Sequence, residues 1–297
     1  VNIMAIVGVL LVLAGPLLTL GIWLWLRSRR DPVALVEPLD IGRVFSMTFR
    51  VFTRDGWPVV GLAAVLVGLP QIASVLLTRP YMIERTRQIA AANPANPFAA
   101  FQAMASGPLL IGMVVGLLLM TAFYVAATLY LVSRFEGAPL TIGEVLARTP
   151  GRILPAFGVG LLAYLGMLAG MFLFILPGIV LALGWSVVIP VVICENVGFL
   201  GSFRRSRELA IGSRGRILLL FVLMFLLVIV VALPGGGLMA ALSRQPNMVP
   251  GMFASIWQVV SGTLLAAVQA GFVVALYIEL RRIREGLSAP GLAEVFA

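Results

Sequence analysis

Residues 216–234 read Arg216-Ile-Leu-Leu-Leu-Phe-Val-Leu-Met-Phe-Leu-Leu-Val-Ile-Val-Val-Ala-Leu-Pro234, with a charge at the first position only. A helix rising about 1.5 Å per residue needs about 20 apolar residues to cross a hydrocarbon core about 30 Å thick. This run has that length and no polar face to turn toward water. Runs of the same kind lie on both sides of it, at about 57–77, 108–133, 153–175, 177–194 and 253–279, and another lies near the beginning, from Met4 to Leu26. The run at 4–26 is too long for a signal-peptide core and is followed at once by Arg27, Arg29 and Arg30, so it reads as an uncleaved anchor.

Composition agrees with a lipid solvent. Of 297 residues, 61% are hydrophobic and 11% charged, with a mean hydropathy of +1.09, outside the range of soluble domains. The expected fold is all-α, a polytopic transmembrane helix bundle of about seven spans. Its expected parts are an N-terminal anchor over residues 1–30, a six-span membrane domain over 37–286 and a cytoplasmic tail over 287–297. Local signals refine this outline. Leu176-Pro177-Gly178 predicts a tight turn inside an otherwise continuous apolar block, and Pro190 predicts a kink. Gly112 with Gly116, and Gly166 with Gly170, are small-residue spacings that predict close approach of helices. The stretch 78–107, with its Asn93-Pro94-Ala95-Asn96-Pro97, predicts a short surface helix and an irregular turn.

The charges give the orientation. All 21 basic residues are arginine, and the formal net charge is +9. With seven spans, seventeen arginines fall on one side, from Arg27, Arg43 and Arg50 through Arg134 and Arg204 to Arg284, while Arg79, Arg85, Arg87 and Arg244 fall on the other. The positive-inside rule then places the N-terminus outside and the C-terminus in the cytoplasm of a bacterial inner membrane. Because the arginines flank spans, anionic headgroups explain the charge and no nucleic-acid partner is expected.

Residues 38–48, Pro-Leu-Asp-Ile-Gly-Arg-Val-Phe-Ser-Met-Thr, align without gaps to 139–149, Pro-Leu-Thr-Ile-Gly-Glu-Val-Leu-Ala-Arg-Thr, with six of eleven positions identical. At about 100° per residue, Ile41, Val44, Phe45, Thr48 and Phe52 share one face, and Arg43, Arg50 and Arg54 the opposite one. Asp40 and Thr141 stand where N-caps belong. A looser copy, Phe199-Leu-Gly-Ser-Phe-Arg-Arg205, precedes the run at 216. The unit reads as an amphipathic interfacial helix followed by a hairpin of two spans, used three times. Its arginines, Arg43, Arg50, Arg54, Arg204, Arg205 and Arg207, are the candidates for contact with anionic headgroups or a protein partner, with self-association left open.

Catalytic signatures are missing from the sequence. There is no histidine and one cysteine, Cys194, which removes the commonest general base and metal ligand. Neither a cofactor nor an enzymatic activity is expected. Glu195 and Glu279, near span ends beside arginines, read as surface ion pairs. In the last span Gln258, Ser261 and Gln269 fall on one side of the helix. With Thr121, Tyr124 and Thr128 of the 108–133 run they are the candidates for lining a substrate cavity.

Two stretches carry a family resemblance. One is Leu176-Pro-Gly-Ile179 through Trp185-Ser186, Ile189-Pro190-Val-Val-Ile193 and Glu195 to Phe203-Arg-Arg-Ser-Arg-Glu-Leu209; the other is Leu276-Tyr-Ile-Glu-Leu-Arg-Arg-Ile-Arg-Glu-Gly286. Together with the early helix from Asp40, they resemble the membrane domain attached to some bacterial glycerophosphodiester phosphodiesterases, a family with many free-standing members. Glu279 stands where that family usually has Asp, and the stretch after Phe203 lacks its frequent Trp. The phosphodiesterase chemistry of such proteins belongs to a separate soluble barrel. The resemblance therefore implies a six-span core, to which the first span is an addition, and no hydrolase activity. The function expected is that of a non-catalytic membrane module, and the alternative is a transporter or flippase-like carrier for a lipid-like or amphiphilic solute.

Overall fold

In lipid a backbone N–H or C=O finds no water, so each must be paired within its own segment. Every regular element among the described residues is accordingly helical. The computed structural model describes residues 38–286, apart from 54–55, 94–97, 99–101, 104, 106, 174, 196 and 243–248; the side chains of 51, 79, 172–173, 175–177, 235–242 and 249–254 are not among those described. The expected anchor at 4–26, the tail from 287 and Arg54 lie outside these residues.

In chain order the helices are α1 (Ile41–Phe49), α2 (Trp57–Ala92), α3 (Gly107–Phe135), α4 (Ile142–Arg148), α5 (Pro150–Leu173), α6 (Ile175–Gly184), α7 (Val188–Cys194), α8 (Phe199–Ala210), α9 (Arg214–Leu242) and α10 (Val249–Glu285). Five of them, α2, α3, α5, α9 and α10, are long and apolar enough to cross a membrane, and Gly178–Cys194 is a shorter apolar stretch. Ile111, Leu154, Leu161, Phe225 and Val230 stand exposed on their outer faces, the surface a hydrocarbon solvent requires. α10 is the axis. Ala266, Ala267, Ala270, Val274, Ala275 and Leu276 are buried along it, and α1, α2, α3 and α9 all pack on it.

Helices α5, α6 and α7 form an antiparallel hairpin. Gly170 meets Gly178, Gly166 meets the Trp185 ring and Gly160 meets Ile189. The tight turn expected at 176–178 is therefore corrected: those residues lie in the first turn of α6. A proline in the first helical turn forgoes an N–H that had no intrahelical partner there, so Pro177 suits the first turn of this helix. Gly178 serves packing, since a Cβ on it would stand 2.7 Å from the backbone nitrogen of Met171. Pro190 produces a full break. Its ring excludes the carbonyl four residues back, and the helix is interrupted at 185–187.

Two other expectations are also corrected. Gly112 and Gly116 do not bring helices together, because a Cβ on either meets nothing within 4 Å. The apolar run at 57–77 does not end its helix, which continues through Arg79–Ala92. Two π-helical segments, Ala64–Gly68 and Ser74–Thr78, lie within α2.

The short helices α1, α4 and α8 precede the long helices α2, α5 and α9. Asp40 caps α1, accepting from the Arg43 N–H at 3.1 Å. Thr141 caps α4 in a reciprocal box with Glu144. α1 turns Val44, Met47 and Thr48 inward, and α8 turns Ser202, Ser206, Leu209 and Ala210 inward. α4 buries Val145 alone.

These contacts make two predictions. Gly178→Ala, which overpacks the hairpin, should cost about 1–3 kcal/mol, while Gly112→Ala should leave thermal unfolding in detergent unchanged; equal melting of the two variants would contradict the packing described. In the α4 cap the Thr141 backbone N–H, then its hydroxyl, hold the Glu144 carboxyl below the usual carboxylate range; desolvation works against them and Arg148 with them. Ionisation is thus favoured in the folded helix. Its contribution is complete above the ordinary value of about 4.3 and is lost as pH falls through the lower folded value. Amide protection across 142–145 should drop over that acid window, and in Glu144→Gln, which has no carboxyl to titrate, the drop should be absent.

Candidate functional site

The last turns of α10 carry Tyr277, Glu279, Arg281, Arg282, Arg284 and Glu285. At about 100° per residue, Glu279 and Arg282 point one way while Tyr277, Arg281, Arg284 and Glu285 point the other. This end of α10 therefore reaches two sets of neighbours at once.

On the first side Glu279, only 1% exposed, accepts from Arg282 through Nη2 at 2.8 Å and Nε at 3.0 Å. The Arg43 guanidinium of α1 stands 3.8 Å away. On the second side Glu195, just after α7, accepts the Arg205 Nε–H at 2.8 Å and the Tyr277 hydroxyl at 3.0 Å. Arg205 also pairs with Glu285. Arg281 bridges Glu285 at 3.1 Å and Glu136 at 3.0 Å, and its guanidinium lies over the Tyr277 ring. Burial alone would lower the Arg205 pKa, but the hydrogen bond and charge of Glu195, and then those of Glu285, raise it above its ordinary value. The Arg284 side chain donates to the Ile211 carbonyl at the end of α8, and the Ser206 hydroxyl donates to the Gly184 carbonyl at 2.9 Å. The result is two ionic groups on opposite sides of α10, which together tie α1, α3, α7, α8 and α10 at one end of the bundle.

Two clefts open at this end. One, of about 480 Å³, is lined by Asp40, Arg43, Arg216 and Arg282 with the backbone start of α1, and Arg216 donates to the Leu39 carbonyl at 3.2 Å. The other, of about 550 Å³, is lined by Arg50, Thr53, Arg134, Gly137 and Pro139. The chemistry such clefts offer is hydrogen bonding and charge toward an anion with several oxygens.

The arginines singled out in the sequence divide between these roles. Arg43 and Arg50 line the clefts, Arg204 and Arg207 are exposed on α8, and Arg205 is drawn into the second ionic group. Arg134, Arg216 and Arg282 line the clefts without having been singled out. Their signal was position, since each sits within a turn or two of a span end. The candidate cavity residues are placed as follows. The Tyr124 hydroxyl donates to Gln269 Oε1 at 3.2 Å, joining α3 to α10. Thr121 donates to Leu117 O and Ser261 to Trp257 O within their own helices. Thr128 is buried and Gln258 exposed. None of the six lines either arginine cleft.

Compared with protein-family models, curated proteins and solved structures, this chain matches none.

Removing one partner from a buried ion pair costs about 3–5 kcal/mol, because the other charge is left uncompensated. Because the Arg282 and Arg43 side chains left behind are 20% and 45% exposed, Glu279→Leu should lower unfolding stability in detergent by less than that, and Glu279→Asp, which keeps the charge, by clearly less still. Equal losses for the two substitutions would show that side-chain volume matters at this site and charge does not.

Proposed function

We propose that this chain is a non-catalytic integral membrane module of a bacterial inner membrane whose arginine-bearing end holds anionic lipid headgroups. The observation that carries the reading is the pair of arginine-lined clefts beside α1, one with Arg43, Arg216 and Arg282 and the other with Arg50 and Arg134. Guanidinium groups suit phosphate oxygens by geometry and charge, and clefts at the end of an apolar bundle lie at headgroup depth. That Glu136, Glu195, Glu279 and Glu285 are all engaged by arginines supports a structural use for these carboxylates.

The positive-inside rule puts this end in the cytoplasm. Adding the broken arm at 178–194 and the run at 4–26 to the five long helices makes seven spans, with the three short helices each opening a hairpin unit. Membership of the membrane-domain family of bacterial glycerophosphodiester phosphodiesterases belongs to the same proposal. It is supported by the convergence of the two resembling stretches, whose Glu195, Arg205, Tyr277 and Glu285 meet in one cluster.

In nanodiscs of mixed phospholipid, spin-labelled phosphatidylglycerol should show a severalfold larger motionally restricted fraction than spin-labelled phosphatidylcholine. Arg50→Gln combined with Arg216→Gln should remove most of that excess. So should about 1 M salt, where the screening length is about 3 Å. Equal restriction of the two lipids around the unaltered protein would refute the reading.

A further inference from the structure

The cleft lined by Asp40, Arg43, Arg216 and Arg282 is built from three helices. Arg43 comes from α1, Arg216 from the first turn of α9 and Arg282 from the last turn of α10. Each brings a guanidinium in a different state of use. Arg282 gives Nε and Nη2 to Glu279. Arg216 is exposed and spends one N–H on the Leu39 carbonyl, two residues before α1. Arg43 stands 3.8 Å from Glu279, within reach of its charge but too far for a hydrogen bond, and its side chain is about half exposed.

The charges gathered here do not cancel. Among the described residues, three guanidinium groups face two carboxylates, Glu279 sealed behind them and Asp40 at the rim. One positive charge is left over. Like charges drawn together by packing repel, and against that repulsion α1 sets three buried side chains, Val44, Met47 and Thr48. An anion among the three guanidinium groups would turn the repulsion into attraction.

We infer that one anionic phosphodiester headgroup, carrying no cation of its own, bridges Arg43 to Arg216 and Arg282 in this cleft and latches α1 onto α9 and α10. The inference rests on the headgroup reading above and adds to it the charge of the ligand and a consequence for the fold. A tetrahedral phosphate presents oxygens in several directions, as guanidinium groups on three different helices require. A choline headgroup cancels the charge of its own phosphate and leaves the excess unmet. Arg43 belongs to the cleft only while α1 is docked, so the ligand binds the docked form more tightly and shifts α1 toward it.

The test follows amide hydrogen exchange of the full chain in nanodiscs. Exchange over 41–49 should be severalfold slower with phosphatidylglycerol in the bilayer than with phosphatidylcholine alone, while exchange over 266–276 of α10, which reports an intact bundle, stays the same. Arg216→Gln should abolish the slowing. Arg204→Gln, which removes an exposed charge of α8 outside the cleft, should preserve it. Inorganic phosphate added to phosphatidylcholine nanodiscs should not reproduce it. Equal exchange over 41–49 in the two bilayers overturns the inference; if phosphatidylglycerol is still motionally restricted by the protein, the headgroup reading stands without the latch. A slowing that survives Arg216→Gln, or that Arg204→Gln also removes, assigns the effect to surface charge at large and overturns it. Slowing by inorganic phosphate would give the cleft to a soluble anion and overturn it too.

Discussion

A carboxylate sealed from solvent must be neutralised where it stands, and at Glu279 that requirement shapes one end of the molecule. The charge cannot be shed to water at 1% exposure, so Arg282 from the same helix and Arg43 from α1 close on it. α1 is thereby held on α10 by charge as well as by Val44 and Met47. Ion pairing also holds α8, whose Arg205 joins the half-buried Glu195 and the exposed Glu285. α4 stands apart. It buries one side chain, Val145, and satisfies its first turn from within by the Thr141–Glu144 box. Of the three short helices, the two that supply arginines to carboxylates of the bundle end cap the bundle, and the third is held mainly by its own local hydrogen bonds.

This division explains how far the sequence could be read. The long helices were legible because transfer of an apolar run into lipid depends on composition and length alone, and α3, α9 and α10 follow their runs closely. Asp40 and Thr141 were legible as caps because capping is local chemistry. The gathering of arginines at one end was legible too, yet which of them face outward was not. Arg205 and Arg207 are two residues apart on one helix, and only the position of Glu195, ten residues earlier, separates a bound guanidinium from an exposed one. Turns and glycines misled for a related reason. Proline and glycine at 177–178 suit either a turn or the first turn of a helix, and only the partner strand of the hairpin decides. Gly112 and Gly116 have the same spacing as Gly166 and Gly170, but a gap between small residues becomes a contact only if something fills it. Trp185 and Gly178 fill the second pair, and nothing fills the first.

Most polar side chains in the apolar interior follow the same rule of mutual satisfaction, with two exceptions among the described residues, Gln71 and Ser186. Tyr124 answers Gln269, and the hydroxyls of Thr121, Ser261 and Thr263 return to carbonyls of their own helices. The Tyr124–Gln269 bond gives this part of the last span's stripe a role in packing α3 on α10. The Gln71 oxygen, packed against Gly262 of α10, and the Ser186 hydroxyl break the rule.

α10 meets α2 at one level and the ionic groups at another, and its geometry keeps the two apart. Gly262 and Thr263 stand against Gln71 and Gly68, and Glu279 anchors the first ionic group about 25 Å further along at about 1.5 Å per residue. Between them the helix is walled by Ala266, Ala267, Ala270, Val274 and Ala275, all buried against neighbours, and the Tyr124–Gln269 bond crosses that segment. No polar path runs along the described part of this axis.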